Sequence, residues 1–119
     1  MFEYIMGELT VKKVDYIALD INGLAYKIFI SLKTYESLGE VGVDQKVYIH
    51  TNVKEDDISF YGFKSENERE LFKALVSISG VGPKLALAIL STYNTKDVID
   101  IVLDANVKLL TKVPGLGDK

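Results

Sequence analysis

The sequence predicts a β + α protein of two small domains. A five-stranded barrel of the OB type is expected over residues 1–62, and an all-α domain over residues 65–119. Three observations predict this. The first half is rich in Ile, Val, Tyr and Phe, arranged in short alternating runs. The second half carries apolar stripes at helical spacing. The connection between them is only about Gly62 to Lys64, so the two domains are expected to be closely joined.

The strand candidates are MFEYIMGEL, YIALDI, AYKIFI, KVYIHTNV and ISFYGF. In KVYIHTNV, Val47, Ile49, Thr51 and Val53 share one face, and Tyr48, His50 and Asn52 share the other. Asn22-Gly23 between the second and third runs is a strong hairpin signal, because both residues tolerate positive φ. LKTYESLGEVG, after the third run, reads as a helical turn or short helix followed by glycine punctuation. Five strands with one insertion after the third fit a small Greek-key barrel. A five-stranded sandwich or an SH3-like barrel is the alternative.

The helical half opens on Ser65 and Glu68, spaced as a capping box. Leu71, Phe72, Leu75 and Val76 follow as one apolar stripe. A second helix is expected from about Pro83 to Thr92, with Leu85, Ala86, Ile89 and Leu90 buried. Asn94 or Thr95 caps a third, with Val98, Ile99, Val102 and Leu103 turned inward. Asn106 caps a short fourth, VKLLTK.

Composition narrows the chemistry. There is no cysteine, which excludes disulfides and thiolate metal sites. The one histidine, His50, reads as an ordinary strand residue, so no catalytic residue, metal site or cofactor is expected. MFEYIMGEL lacks the basic start of a secretion signal. LALAIL is too short to span a bilayer. A cytoplasmic protein without membrane contact is the expectation. Net charge is −3, but residues 1–62 carry 6 lysines against 10 acids, and residues 63–119 carry 8 basic residues against 7 acids. An anionic partner should meet the second half first.

The informative stretch is ISGVGPKLA. Gly80 and Gly82 permit a tight turn and leave the backbone bare. Pro83 suits the first position of a helix, where its missing amide is not needed. The amides at that helix start, the helix dipole and Lys84 together form an anion site. Val81 is expected to turn inward. The pattern nearly recurs 35 residues later in LTKVPGLGDK, pairing Gly80 with Gly115, Gly82 with Gly117 and Lys84 with Lys119. Two phosphate-holding turns at a fixed separation suit a nucleic-acid backbone better than a mononucleotide. Neither copy fits a P-loop, and the first lacks both the third glycine and the preceding strand of a dinucleotide fingerprint.

SGVGPKLALAIL and VPGLGDK resemble helix-hairpin-helix motifs, which hold DNA phosphates without reading base sequence. Barrel, KEDD loop, YGF, ERELF helix and GVGPKLALAIL, in that order, resemble the N-terminal part of the RuvA family across essentially all 119 residues. These are the Holliday junction-binding subunits of the bacterial branch migration complex. The resemblance implies a helix-hairpin-helix domain over 65–119 and binding of four-way junction DNA by a homotetramer, with two tetramers able to sandwich the junction. It also implies partnership with the RuvB ATPase, the subunit itself hydrolysing nothing. By match, Gly80, Val81, Gly82 and Lys84 hold one phosphate region, and Gly115, Leu116, Gly117 and Lys119 a second. Glu55, Asp56 and Asp57 match an acidic pin at the tetramer's centre, where carboxylates near phosphates repel. Asp118 departs from the family, which usually carries a non-acidic residue there, so the second turn is expected to bind more weakly. The helix that should follow Lys119 and the RuvB-docking domain are not within these residues. Junction binding without recruitment of the motor is therefore expected.

Two other readings compete. A generic single-strand binder would use Tyr16, Tyr26, Phe29, Tyr48 and Tyr61 for stacking, against the acidic balance of the barrel half. A fragment of a DNA-processing enzyme would use Glu55, Asp56 and Asp57 to hold Mg²⁺, but no nucleophile and base are paired in the sequence.

Overall fold

The computed structural model describes residues 2–112, with side chains through Ala105. Five strands form first: β1 (Tyr4–Lys12), β2 (Tyr16–Ile21), β3 (Leu24–Phe29), β4 (Asp44–Lys54) and β5 (Asp57–Phe63). They close into a barrel in the order β1-β2-β3-β5-β4. β1 closes the ring by pairing antiparallel with both β2 and β4, and β3 meets β5 in parallel at Ile28↔Phe60 and Phe29↔Tyr61. This is a closed five-stranded ring, as the OB-type reading requires, not two stacked sheets. The short helix α1 (Leu32–Ser37) lies between β3 and β4.

Local chemistry accounts for the turns. Asn22 (φ 53°) and Gly23 (φ 89°) supply the left-handed pair of a two-residue hairpin. The Asp20 carboxylate accepts from the Gly23 amide at 2.8 Å and steadies it. Alternation accounts for the core. Ile5, Leu9, Ile17, Leu19, Ile28, Val47 and Ile49 point inward and are buried. Gly62 lies opposite Ile49 on this inner side. A Cβ there would stand 2.6 Å from Ile28 Cγ2 and 3.1 Å from Val47 Cγ2, so the packed core itself demands glycine.

Three helices follow: α2 (Glu66–Val76), α3 (Pro83–Thr92) and α4 (Thr95–Lys112). The chain packs as two units, residues 1–70 and 71–119. The first turn of α2 belongs with the barrel, and hydrogen bonds explain why. Buried Ser31 caps α1 by accepting from the Thr34 amide at 3.2 Å, and the Thr34 hydroxyl donates to Glu68 Oε1 at 2.9 Å. Arg69 donates to the Glu3 carbonyl at 2.9 Å and pairs with the Glu3 carboxylate at 3.0 Å. Partial burial opposes the charge of Arg69, yet Glu3 and Glu70 outweigh it and hold the guanidinium above its usual range.

Several helical expectations are corrected. The Glu68 amide donates to Ser65 Oγ at 3.2 Å, as a capping box requires. The Glu68 carboxylate, however, serves Thr34, whose buried hydroxyl needs a partner. Leu71, Phe72, Leu75 and Val76 face inward as expected. In α3 the inward stripe is Pro83, Ala86, Leu87 and Leu90; Ile89 is half-buried, and Leu85 is exposed. In α4 it is Val98, Ile101, Val102 and Ala105, leaving Ile99 and Leu103 exposed. Ala86 and Leu90 in α3 and Val98 and Val102 in α4 are turned inward as expected, and Pro83 with Leu87 and Ile101 with Ala105 complete each stripe at i, i+3, i+4, i+7 spacing. Asn94 is the α4 cap, accepting from the Asp97 amide at 2.8 Å. The expected short fourth helix from Asn106 is not separate: α4 runs on through that position to Lys112 as one helix.

Candidate nucleic-acid interface

The turn between α2 and α3 is built from main chain. The Ile78 amide donates to the Leu75 carbonyl and the Val81 amide to the Ile78 carbonyl, both at 3.0 Å, folding the chain back tightly. Gly80 takes φ 89°, a conformation that side chains resist. Val81 is half-buried and anchors the bend.

Gly82 is different. It is the N-cap of α3 at φ −88°, ψ 176°, extended backbone open to any residue. A Cβ added there would meet nothing within 4 Å. Neither conformation nor packing among the described residues requires glycine at that position. As N-cap it also offers no side-chain hydrogen bond to the helix, where Ser, Asp or Asn would. The α3 amides are therefore left without a side-chain cap behind a bare backbone. Pro83 is the first helical residue, and Lys84, exposed, makes no ion pair among the described residues. A helix start of this kind has the chemistry to accept an anion, with room for a bulky one to approach. Behind the helix start, Ala86 and Leu90 on α3 and Val98 on α4 are buried. Gly115, Leu116, Gly117, Asp118 and Lys119 lie outside the described residues.

The acidic residues occupy the opposite kind of setting. Lys54↔Asp57 is the last rung of the β4–β5 ladder, with Glu55 and Asp56 as the turn. All three acids are exposed. Among the described residues no group of three or more His, Cys, Asp or Glu is placed to hold a metal ion. His50 is half-buried on the barrel's outer side, in register with Tyr61.

The aromatic residues considered for base stacking all have contacts within the chain. Tyr61 is buried. Lys27 Nζ sits 4.5 Å from the Tyr16 ring centre and 5.2 Å from that of Phe29. Lys46 Nζ lies 5.1 Å and the Arg69 guanidinium 5.7 Å from that of Tyr48. Tyr26 packs edge-on against Phe60. These rings already have cation and ring contacts within the chain, whereas a single-strand platform presents its rings to the bases.

Comparison with known proteins decides the family. Residues 1–62 match the model of the RuvA N-terminal domain, and residues 72–119 match that of a SAM-like helix-hairpin-helix tandem. The chain belongs to the RuvA family. Its similarity to curated RuvA proteins runs through all 119 residues. A Fusobacterium nucleatum protein named Holliday junction branch migration complex subunit RuvA is 43% identical, and this chain covers 61% of its length. RuvA proteins of the same name from Acetivibrio thermocellus and Geobacter sp. strain M21 are 44% and 41% identical, with 59% and 60% of their lengths covered. The chain thus spans about three fifths of the RuvA relatives it matches. Among the described residues no helix is long and apolar enough to cross a membrane.

Sequence reasoning found the glycine turn and the acidic tip. It missed the Thr34–Glu68 and Glu3–Arg69 ties, whose partners are 34 and 66 residues apart. No local pattern signals them.

Proposed function

We propose that this chain binds four-way DNA junctions without regard to base sequence, as the non-catalytic DNA-binding subunit of a branch migration complex. The observation that carries the reading is Gly82, a glycine that the fold does not need, at a helix start without a side-chain cap and beside Lys84. Bare main chain there serves something outside the chain, and a phosphate fits both the amides and the charge. The names of the RuvA relatives, all branch migration subunits, support the same reading.

In this reading Gly80, Val81, Gly82 and Lys84 hold one stretch of backbone, and Gly115, Leu116, Gly117 and Lys119 hold a second. The 1–62 barrel carries Glu55, Asp56 and Asp57 to the crossover, where their charge repels phosphates and keeps the crossing strands apart. A homotetramer, singly or as two tetramers around the DNA, would present four copies of each turn to four arms. The RuvB ATPase is the motor partner of the full-length protein. These assignments rest on the resemblance and on the chemistry of the two sites.

The test is fluorescence anisotropy with a four-way junction, a duplex and a single strand of equal length. The junction should bind tightest, and Gly82→Val should reduce that binding. Equal affinity for all three nucleic acids would overturn the proposal.

A further inference from the structure

The β4–β5 hairpin has two unlike faces. Side chains directly opposed across an antiparallel pair share a face. Asn52↔Ser59 and Lys54↔Asp57 make a polar face. Thr51↔Phe60 and Val53↔Ile58 make the other, which is apolar toward the tip. This second face continues the inner side of the barrel, where Val47 and Ile49 are buried. At Val53 and Ile58 the barrel no longer covers it. β4 pairs with β1 only as far as Tyr48, and β5 meets β3 only at Phe60 and Tyr61. Toward the tip, among the described residues, the hairpin is a two-stranded ribbon paired only with itself. Val53 is 56% and Ile58 61% exposed, directly opposite each other and immediately below three acids.

Such a pair is unfavourable without a use. Burying an aliphatic side chain of this size is stabilising, and the ribbon forgoes most of that gain twice. The tip's charge restricts what can cover it. Two copies of the ribbon laid directly face to face would press two sets of Glu55, Asp56 and Asp57 against each other with nothing between them, a like-charge arrangement that opposes direct pairing even where four copies gather around a junction. Phosphates are repelled for the same reason. An uncharged, flat, apolar surface on a ligand whose phosphates are held elsewhere satisfies both constraints.

We propose that Val53 and Ile58 form a wedge that covers the faces of nucleobases unstacked at the crossover of a four-way junction. The acids at the tip turn the backbone aside, and the aliphatic pair below them replaces part of the lost stacking. This rests on the junction-binding reading and adds to it the residues that touch bases. Aliphatic side chains inserted at base steps are an established way to hold DNA unstacked, offsetting the cost of unstacking.

The experiment uses this chain and a junction with 2-aminopurine in a base pair beside the crossover. Anisotropy first sets a saturating concentration for each variant, and the fluorescence rise from unstacking is then read at saturation. The wild type should produce a clear rise. Val53→Ser/Ile58→Ser should lose at least half of it, and Val53→Leu/Ile58→Leu should keep it. If the serine pair does not fold, Ile58→Ser alone is read with the same outcomes. A full rise with the serine variant overturns the wedge, as does wild-type binding with no rise, and both leave junction binding intact. A serine variant whose solution mass falls marks the strip as a seam between copies, which also overturns it. Failure of the wild type to prefer the junction in the anisotropy arm is instead a failure of the underlying reading.

Discussion

Gly62 and Gly82 look alike in the sequence, each a glycine beside bulky apolar residues, yet they answer to different demands. Gly62 sits inside the barrel, where a Cβ would be 2.6 Å from Ile28. Gly82 sits at the start of α3, where a Cβ would meet empty space and the backbone is extended. The first glycine is explained by the fold. The second has no explanation within the described chain, and that makes it informative about a ligand. A residue that folding does not require is where function is most readily read.

The comparison can be broken by substitution. Gly62→Ala should cost stability by roughly 1–3 kcal/mol through overpacking, read as a lower urea midpoint. An unchanged midpoint would mean that the core relaxes easily and that the contrast is weaker than drawn. Gly82→Val should reverse the pattern. It should lose about tenfold or more in junction affinity, equivalent to ~1.4 kcal/mol, while losing no more than about 1 kcal/mol of stability from the poorer cap. Normal junction binding by Gly82→Val would make this turn merely structural.

Smaller effects sharpen it. Lys84→Gln should lower the salt dependence of binding by about 0.9 in log K against log salt, as expected for one phosphate contact. An unchanged slope would place Lys84 off the DNA. Glu55→Gln/Asp56→Asn should leave junction affinity the same or raise it a few-fold, since repulsion is relieved. A large loss would contradict the role given to the tip. Gly82→Ser is the finest test. A serine caps α3 and should raise stability by a few tenths of a kcal/mol, yet its hydroxyl competes for the amides that a phosphate would use, so binding should fall.

Much of this molecule could be read from its sequence, and the exceptions are instructive. Alternation in KVYIHTNV separated the two faces of β4 correctly, and Asn22-Gly23 named its own hairpin, because both depend on neighbours within a few residues. ISGVGPKLA displayed the turn for the same reason. Leu85, Ile99 and Leu103 were expected inside and are exposed, since a helix with apolar residues on several sides leaves the phase of its buried stripe to its packing partner. Asn106 carries a capping preference, but a helix already propagating, with Ile101, Val102 and Ala105 turned inward, runs through it.

The amino-acid order alone determined the kinds of element, their order along the chain as far as the start of α4, and the two places where charge and bare backbone gather. These follow from φ/ψ preference, side-chain period and local capping, which act over a turn or a strand. Only the tertiary structure decided that Glu68 serves Thr34, that Gly62 belongs to the core while Gly82 does not, and that Val53 and Ile58 stand beyond the barrel's cover. Each of these depends on an atom brought close, or left absent, by folding across many residues.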